Sequence, residues 1–142
     1  HQFAGVFNLE LARIYNYLLQ DSGIKYNIVH SLDGYDEVSL TAAFKIYSNG
    51  SENVTYPEDI GMKRIRQSDI YGGQTIKQSA DIFFKILENK GSNEQNSVVL
   101  ANAAYAIKVF EDGLSIEDCI EKAKTSLESG MALKSLKILL NK

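Results

Sequence analysis

Leu11, Ala12, Tyr15, Leu18 and Leu19 recur at steps of three and four residues, the spacing of apolar side chains on one face of an α-helix. Asn8 stands just before them and can cap that helix, and "DSG" at Asp21 to Gly23 ends it. The rhythm then changes. "IKYNIVHS" is short and mostly apolar, which predicts a buried strand. A helix feeding a strand with almost no linker is the pattern of an α/β sheet. Further on, "AAFKIYS" alternates: Ala42, Phe44 and Ile46 share one face, and Lys45 and Tyr47 lie on the other. Asn49-Gly50 follows, a pair that tolerates positive φ at both positions and so signals a hairpin. "ENVTY" is the expected returning strand, and Pro57, the only proline, closes the section. Such a hairpin is antiparallel and is expected at a sheet edge.

From residue 67 onward the pattern is helical. Thr75 can cap a helix carrying Ile76, Ala80, Phe83, Phe84 and Leu87, with Gly91 just past its end. Residues 94–111 read as an apolar, largely buried helix, broken at Gly113. Ser115 caps another, with Glu117 and Asp118 in its first turn, where the helix dipole favours acids. Gly130 is expected to kink it before "MALKSLKILLNK" continues. No repeat, low-complexity tract or dividing linker interrupts the chain. The predicted fold class is α/β: a small mixed sheet, one parallel strand plus an antiparallel edge hairpin, packed by about four or five helices.

Composition narrows the function classes. The 142 residues suit one domain with a real core. Net charge is −3, from 15 basic and 18 acidic side chains, so no basic surplus points to nucleic acid or an anionic membrane. The longest apolar run, "VVLANAAYAIKVF", is interrupted by Asn102 and Lys108 and is too short to span a bilayer. The single cysteine, Cys119, sits at helical spacing among apolar neighbours. It reads as a buried structural thiol, and a chain this poor in thiols suits the cytoplasm. There is no G-x-G-x-x-G, P-loop, C-x-x-C or H-E-x-x-H. Gly72-Gly73 reads as a tight turn before a helix. His30, at the end of the buried strand, reads as a hydrogen-bonded structural histidine.

One stretch carries chemistry. "SLDGYDEVSLT", Ser31 to Thr41, places Asp33, Asp36 and Glu37 around Gly34, just past the buried strand. In open α/β sheets ligands bind beyond the carboxyl ends of the strands. Magnesium prefers carboxylate oxygens, and often takes one or two of them together with substrate phosphates. Adjacent residues of a regular strand point to opposite faces, but in a loop after Gly34 both Asp36 and Glu37 can reach one ion. Composition alone leaves a second reading standing, a solvated acidic turn.

Resemblance decides between them. "VHSLDGYDEVSLT" closely resembles the DGxDE segment of the anthranilate phosphoribosyltransferase family. "YPEDIGM", "GGQTIKQSADIFFKILENKGS", "VVLANAAYAIKVF" and "SIEDCIEKAKTSLESGMALKSLKILL" are similar to later segments of that family, in the same order, over essentially the whole chain. The resemblance implies a magnesium site at Asp36 and Glu37, with Asp33 as a supporting or loop-forming residue. It implies phosphoribosyl pyrophosphate and anthranilate as substrates in the intact enzyme, an activity of tryptophan biosynthesis. Two departures stand out: Ser31-Leu32 where many members have glycine, and Ser79 where they often have asparagine.

The resemblance also implies that residues 1–142 are the C-terminal part of the α/β domain. The family's Gly-rich diphosphate loop and "KHGN" segment lie upstream of the matched region. That agrees with a start at "HQFAGVFN", without an initiator methionine. No catalytic residue is expected in this part, which is expected to be inactive alone. A homodimer is expected to form through helices outside it. Two other readings remain: a pyrimidine nucleoside phosphorylase-like enzyme of the same architecture, and a diverged non-catalytic relative that binds nucleic acid or another protein.

Overall fold

The computed structural model describes residues 1–140. Four strands form one sheet in the order β1 (Gln2–Gly5), β2 (Tyr26–Ser31), β3 (Phe44–Ser48), β4 (Ser51–Thr55). β1 and β2 are parallel, with Gln2 opposite Tyr26 and Gly5 opposite Val29. β2 and β3 are antiparallel, as are β3 and β4. Five α-helices complete the chain: α1 (Leu9–Gln20), α2 (Ile76–Leu87), α3 (Asn93–Phe110), α4 (Ile116–Glu128) and α5 (Met131–Leu139). The α/β class and the edge hairpin agree with the sequence reading.

Local chemistry accounts for the boundaries. The Asn8 side chain accepts from the Leu11 N–H at 2.7 Å and starts α1. Thr75, Ser92 and Ser115 cap α2, α3 and α4 in the same way. Asn49 does more than turn the hairpin. Its Oδ1 accepts from the Tyr26 N–H at 2.9 Å and its Nδ2 donates to the Ile24 carbonyl at 2.8 Å, so the β3–β4 turn is pinned to the start of β2.

β2 is buried from end to end because both sheet faces are covered. On one face Val29, Phe44 and Ile46 pack with Val98, Ala101 and Tyr105 of α3. The Phe44 and Tyr105 rings meet edge-on, 5.6 Å between centroids. On the other face Tyr26, Ile28 and Tyr47 pack with Val6 and with Ala12 of α1. Sheet with helices on both faces is one of the stable two-sided solutions for burying apolar stripes.

One element goes unread in the sequence, and two expectations are corrected. No strand was foreseen before Asn8, yet β1 lies there; four residues are too few to show a period. The helix after Thr75 stops at Leu87, short of Gly91, because Asn89 takes the left-handed conformation itself (φ 57°). Gly130, at φ 75°, does not kink one helix but separates two, α4 and α5. Among the described residues no helix is long and apolar enough to cross a membrane.

Candidate functional site

The parallel strands β1 and β2 both end at the same edge of the molecule, the edge where α/β sheets bind ligands. β1 ends at Gly5 and β2 at Ser31. The chain then makes a tight turn. Gly34 N–H donates to the Ser31 carbonyl at 2.9 Å, Ser31 N–H to the Tyr35 carbonyl at 2.9 Å, and Leu32 N–H to the Ala43 carbonyl at 2.8 Å. Gly34 sits at φ 101°, where a side chain would be strained. Residues 32–43 hold no regular strand, so Asp36 and Glu37 are freed from the opposed orientations of a pleat.

Side chains hold this irregular loop from within. Ser31 Oγ donates to the Glu37 carbonyl at 2.6 Å and accepts from the Ser39 N–H at 3.2 Å. Thr41 N–H donates to Ser39 Oγ at 3.2 Å. Thr41 Oγ1 donates to Asp33. Asp33 therefore closes the loop onto itself, and Ser31, Ser39 and Thr41 are all buried. From outside, Asn102 of α3 bonds both backbone groups of Val38, Arg64 Nε donates to the Thr41 carbonyl at 2.7 Å, and Ile65 N–H to the Leu40 carbonyl at 3.0 Å. Leu40 is fully buried at φ 60°. Such a conformation persists only when its surroundings over-determine it. Gly5 meets the loop backbone directly: a Cβ there would lie 1.6 Å from the Asp36 carbonyl oxygen.

The electrostatics are one-sided. Asp36 and Glu37 are exposed, and among the described residues neither takes part in an ion pair. Partial desolvation, and then the Asp36 charge beside it, raise the Glu37 carboxyl above its ordinary range. Glu37 borders a cleft of about 320 Å³ lined also by Tyr35, Tyr71, Phe83 and Val98. Two adjacent carboxylates without a cationic partner, one destabilised in its charged form, are a donor set suited to a hard divalent cation. Among the described residues no group of three or more His, Cys, Asp or Glu side chains gathers. Two carboxylates are the number that magnesium sites commonly draw from a protein, the remaining positions being filled by water and phosphate oxygens.

The other residues singled out above have structural places. His30 is buried and its Nδ1–H donates to the Val6 carbonyl at 2.9 Å. Cys119 is fully buried, and burial pushes its thiol up. Ser79 Oγ donates to the Gly72 carbonyl at 2.7 Å, so serine at this position ties the glycine turn to α2. Gly5 and Asn102 are the residues that reading the sequence missed. Gly5 carries no local signal, and Asn102 shows in the sequence only as a polar residue inside an apolar helical run.

Comparison with known proteins places these features in a family context. The model of the glycosyl transferase family, a/b domain, matches residues 1–133. The anthranilate phosphoribosyltransferase of Bacteroides thetaiotaomicron is 48% identical over 137 residues, 96% of this chain and 41% of that protein. That of Flavobacterium psychrophilum is 50% identical over 139 residues, 98% of this chain and 42% of that protein. The chain thus spans about two fifths of the length of the curated relatives it matches. Among solved structures, the anthranilate phosphoribosyltransferase from Saccharomyces cerevisiae in complex with PRPP and Mg superposes with a TM-score of 0.83 at 23% identity, over 95% of this chain and 39% of that one. The enzyme from Thermus thermophilus gives 0.82 at 23% identity, over 94% of this chain and 40% of that one. At such identity the structural likeness speaks for the fold.

Proposed function

The chain belongs to the glycosyl transferase family through its a/b domain, and from that premise we propose that residues 1–142 are the C-terminal part of the α/β domain of an anthranilate phosphoribosyltransferase. The intact enzyme transfers the phosphoribosyl group of phosphoribosyl pyrophosphate to the amine of anthranilate. The observation that carries the reading is the Asp36–Glu37 pair: two uncompensated carboxylates beyond the ends of the parallel strands, with Glu37 pushed above its ordinary range. The high identity to anthranilate phosphoribosyltransferases over nearly all of this chain supports the choice of acceptor.

In the proposed reaction the bond from the ribose C1 to diphosphate breaks as the anthranilate nitrogen bonds to C1. The transition state has oxocarbenium character, as in glycoside hydrolysis, and negative charge accumulates on the departing diphosphate. Asp36 and Glu37 are the residues that would hold magnesium. When bound, magnesium neutralises charge on phosphate oxygens as a Lewis acid and orients the leaving group. This chain's own part is positional. The hydroxyl network through Ser31, Ser39, Thr41 and Asp33 fixes the loop, and Gly5 lets β1 approach it. The remaining substrate contacts are assigned to the part of the enzyme outside this chain, as are the helices of a homodimer, and the enzyme is placed in the cytoplasm.

The test is Asp36→Ala with Glu37→Ala in the full-length enzyme. Turnover with phosphoribosyl pyrophosphate and anthranilate is expected to fall by at least about a hundredfold, within the several kcal/mol that metal charge stabilisation supplies. The magnesium dependence is expected to weaken. Kinetics unchanged across a magnesium titration would refute the metal role. Phosphorolysis of a pyrimidine nucleoside, in place of phosphoribosyl transfer, would favour the phosphorylase reading.

A further inference from the structure

Resting on the reading of Asp36 and Glu37 as magnesium carboxylates, we propose that Asn102 of α3 is the positioning residue of that pair, fixing the direction in which the Glu37 side chain leaves the loop. The peptide between Glu37 and Val38 is held at both polar atoms. Its carbonyl oxygen accepts from Ser31 Oγ at 2.6 Å, and its N–H donates to Asn102 Oδ1 at 3.0 Å. The two partners come from β2 and α3, which belong to one buried core. A peptide plane tied on both sides cannot rotate, and its orientation sets ψ of Glu37 and with it the path of the Cα–Cβ bond.

Asn102 adds a second bond to the same residue. Its Nδ2 donates to the Val38 carbonyl at 2.9 Å and to the Val98 carbonyl, one helical turn back, at 2.9 Å. One donor partner and two acceptor partners define which end of the amide is which. An amide is the side chain that can serve both groups of Val38, because it carries an acceptor and two N–H donors. Asparagine is a mediocre helix former and lies here among apolar residues of α3, so helix propensity does not account for it. The bond to Val98 stabilises the amide on its own helix, and the two to Val38 make it the neighbour that an irregular strand lacks.

The experiment is titration of the full-length protein with Mn²⁺ alone, followed by loss of the free-ion EPR signal, with Mn²⁺ standing in at an oxygen-donor site. Hydrogen exchange of the peptide spanning residues 36–41 is measured alongside. Asn102→Ala is expected to weaken Mn²⁺ binding about ten- to a hundredfold, the range for partners that orient metal ligands. It is expected to speed exchange in the 36–41 peptide while β2 stays protected. A folded Asn102→Ala protein with unchanged Mn²⁺ affinity overturns the proposal, whatever its melting temperature. Where that variant does not fold, Asn102→Gln, the same amide displaced by one methylene, takes its place under the same criterion. Glu37→Gln separates the two levels. If it too leaves Mn²⁺ binding unchanged, the metal reading fails and carries this inference down with it. If it weakens binding while Asn102→Ala does not, only the inference fails.

Discussion

Replacing Gly5 by alanine adds one methyl group where β1 meets the acidic loop. The new Cβ would lie 1.6 Å from the Asp36 carbonyl oxygen and 2.7 Å from its carbonyl carbon. Real Cβ atoms essentially never approach other heavy atoms within 3.0 Å, so the two backbones must separate by about 1.4 Å. There are two ways to do so. If β1 moves, it loses its register with Val29 and the 3.0 Å bond from Val6 N–H to the Val29 carbonyl, and it disturbs buried Val6. If the loop moves, the bonds from Ser31 to Glu37 and from Asn102 to Val38 stretch beyond hydrogen-bonding range. At this contact the loop is the softer side, since Asp36 itself is exposed, whereas the buried anchors of the loop, Val38 and Leu40, lie further along it. Overpacking costs about 1–3 kcal/mol, and two lost side-chain bonds add about 1 kcal/mol each. Gly5→Ala is therefore expected to destabilise the protein by about 3–5 kcal/mol and to weaken Mn²⁺ binding, measured by urea-induced unfolding and by EPR titration. A variant within about 0.5 kcal/mol of the parent, the scatter of ordinary surface substitutions, and with the same Mn²⁺ affinity would refute the close approach.

Two further outcomes follow from the core. The Tyr105 hydroxyl is pushed up to about 12 by burial. A group raised in the folded state contributes stability that is complete below its ordinary value near 10 and is lost as the pH rises through about 12. Tyr105→Phe is expected to flatten the alkaline fall in stability between those limits, and parallel curves for parent and variant would count against it. Leu40 is fully buried in the cluster with Val29, Val38 and Phe44. Leu40→Ala is expected to cost about 2–5 kcal/mol in urea unfolding, the usual range for a leucine cavity, while a loss below about 1 kcal/mol would show that the site collapses around the gap.

What sequence reading found and missed divides by range along the chain. Asn8, Thr75 and Ser115 act on N–H groups a few residues away, and the hairpin at Asn49-Gly50 is equally local. Such features show as spacing and residue type. β1 was missed because a four-residue edge strand has no period; its evidence is its pairing with β2, some 24 residues on. The acidic loop was found by its carboxylates and its place after a buried strand. The residues that shape it were not. Gly5 touches Asp36, and Asn102 reaches Val38 across 64 positions, and neither contact has a local signature. Asn102 drew notice only as a polar interruption of an apolar run. The left-handed Leu40 was invisible for the same reason: tertiary packing, not leucine's own preference, holds it at φ 60°.

The loop of residues 32–43 has no regular secondary structure, yet serine, asparagine and arginine side chains tie its backbone from both sides. Its conformational entropy is thus surrendered when the protein folds rather than when a ligand arrives. Fixing the backbone of one residue costs roughly 1–2 kcal/mol, so a slack loop would subtract several kcal/mol from each binding event. A pre-ordered one leaves that free energy in the affinity. Capture of the proposed cation should accordingly proceed without a slow ordering phase, at a rate set by desolvation of the cation rather than by movement of the chain.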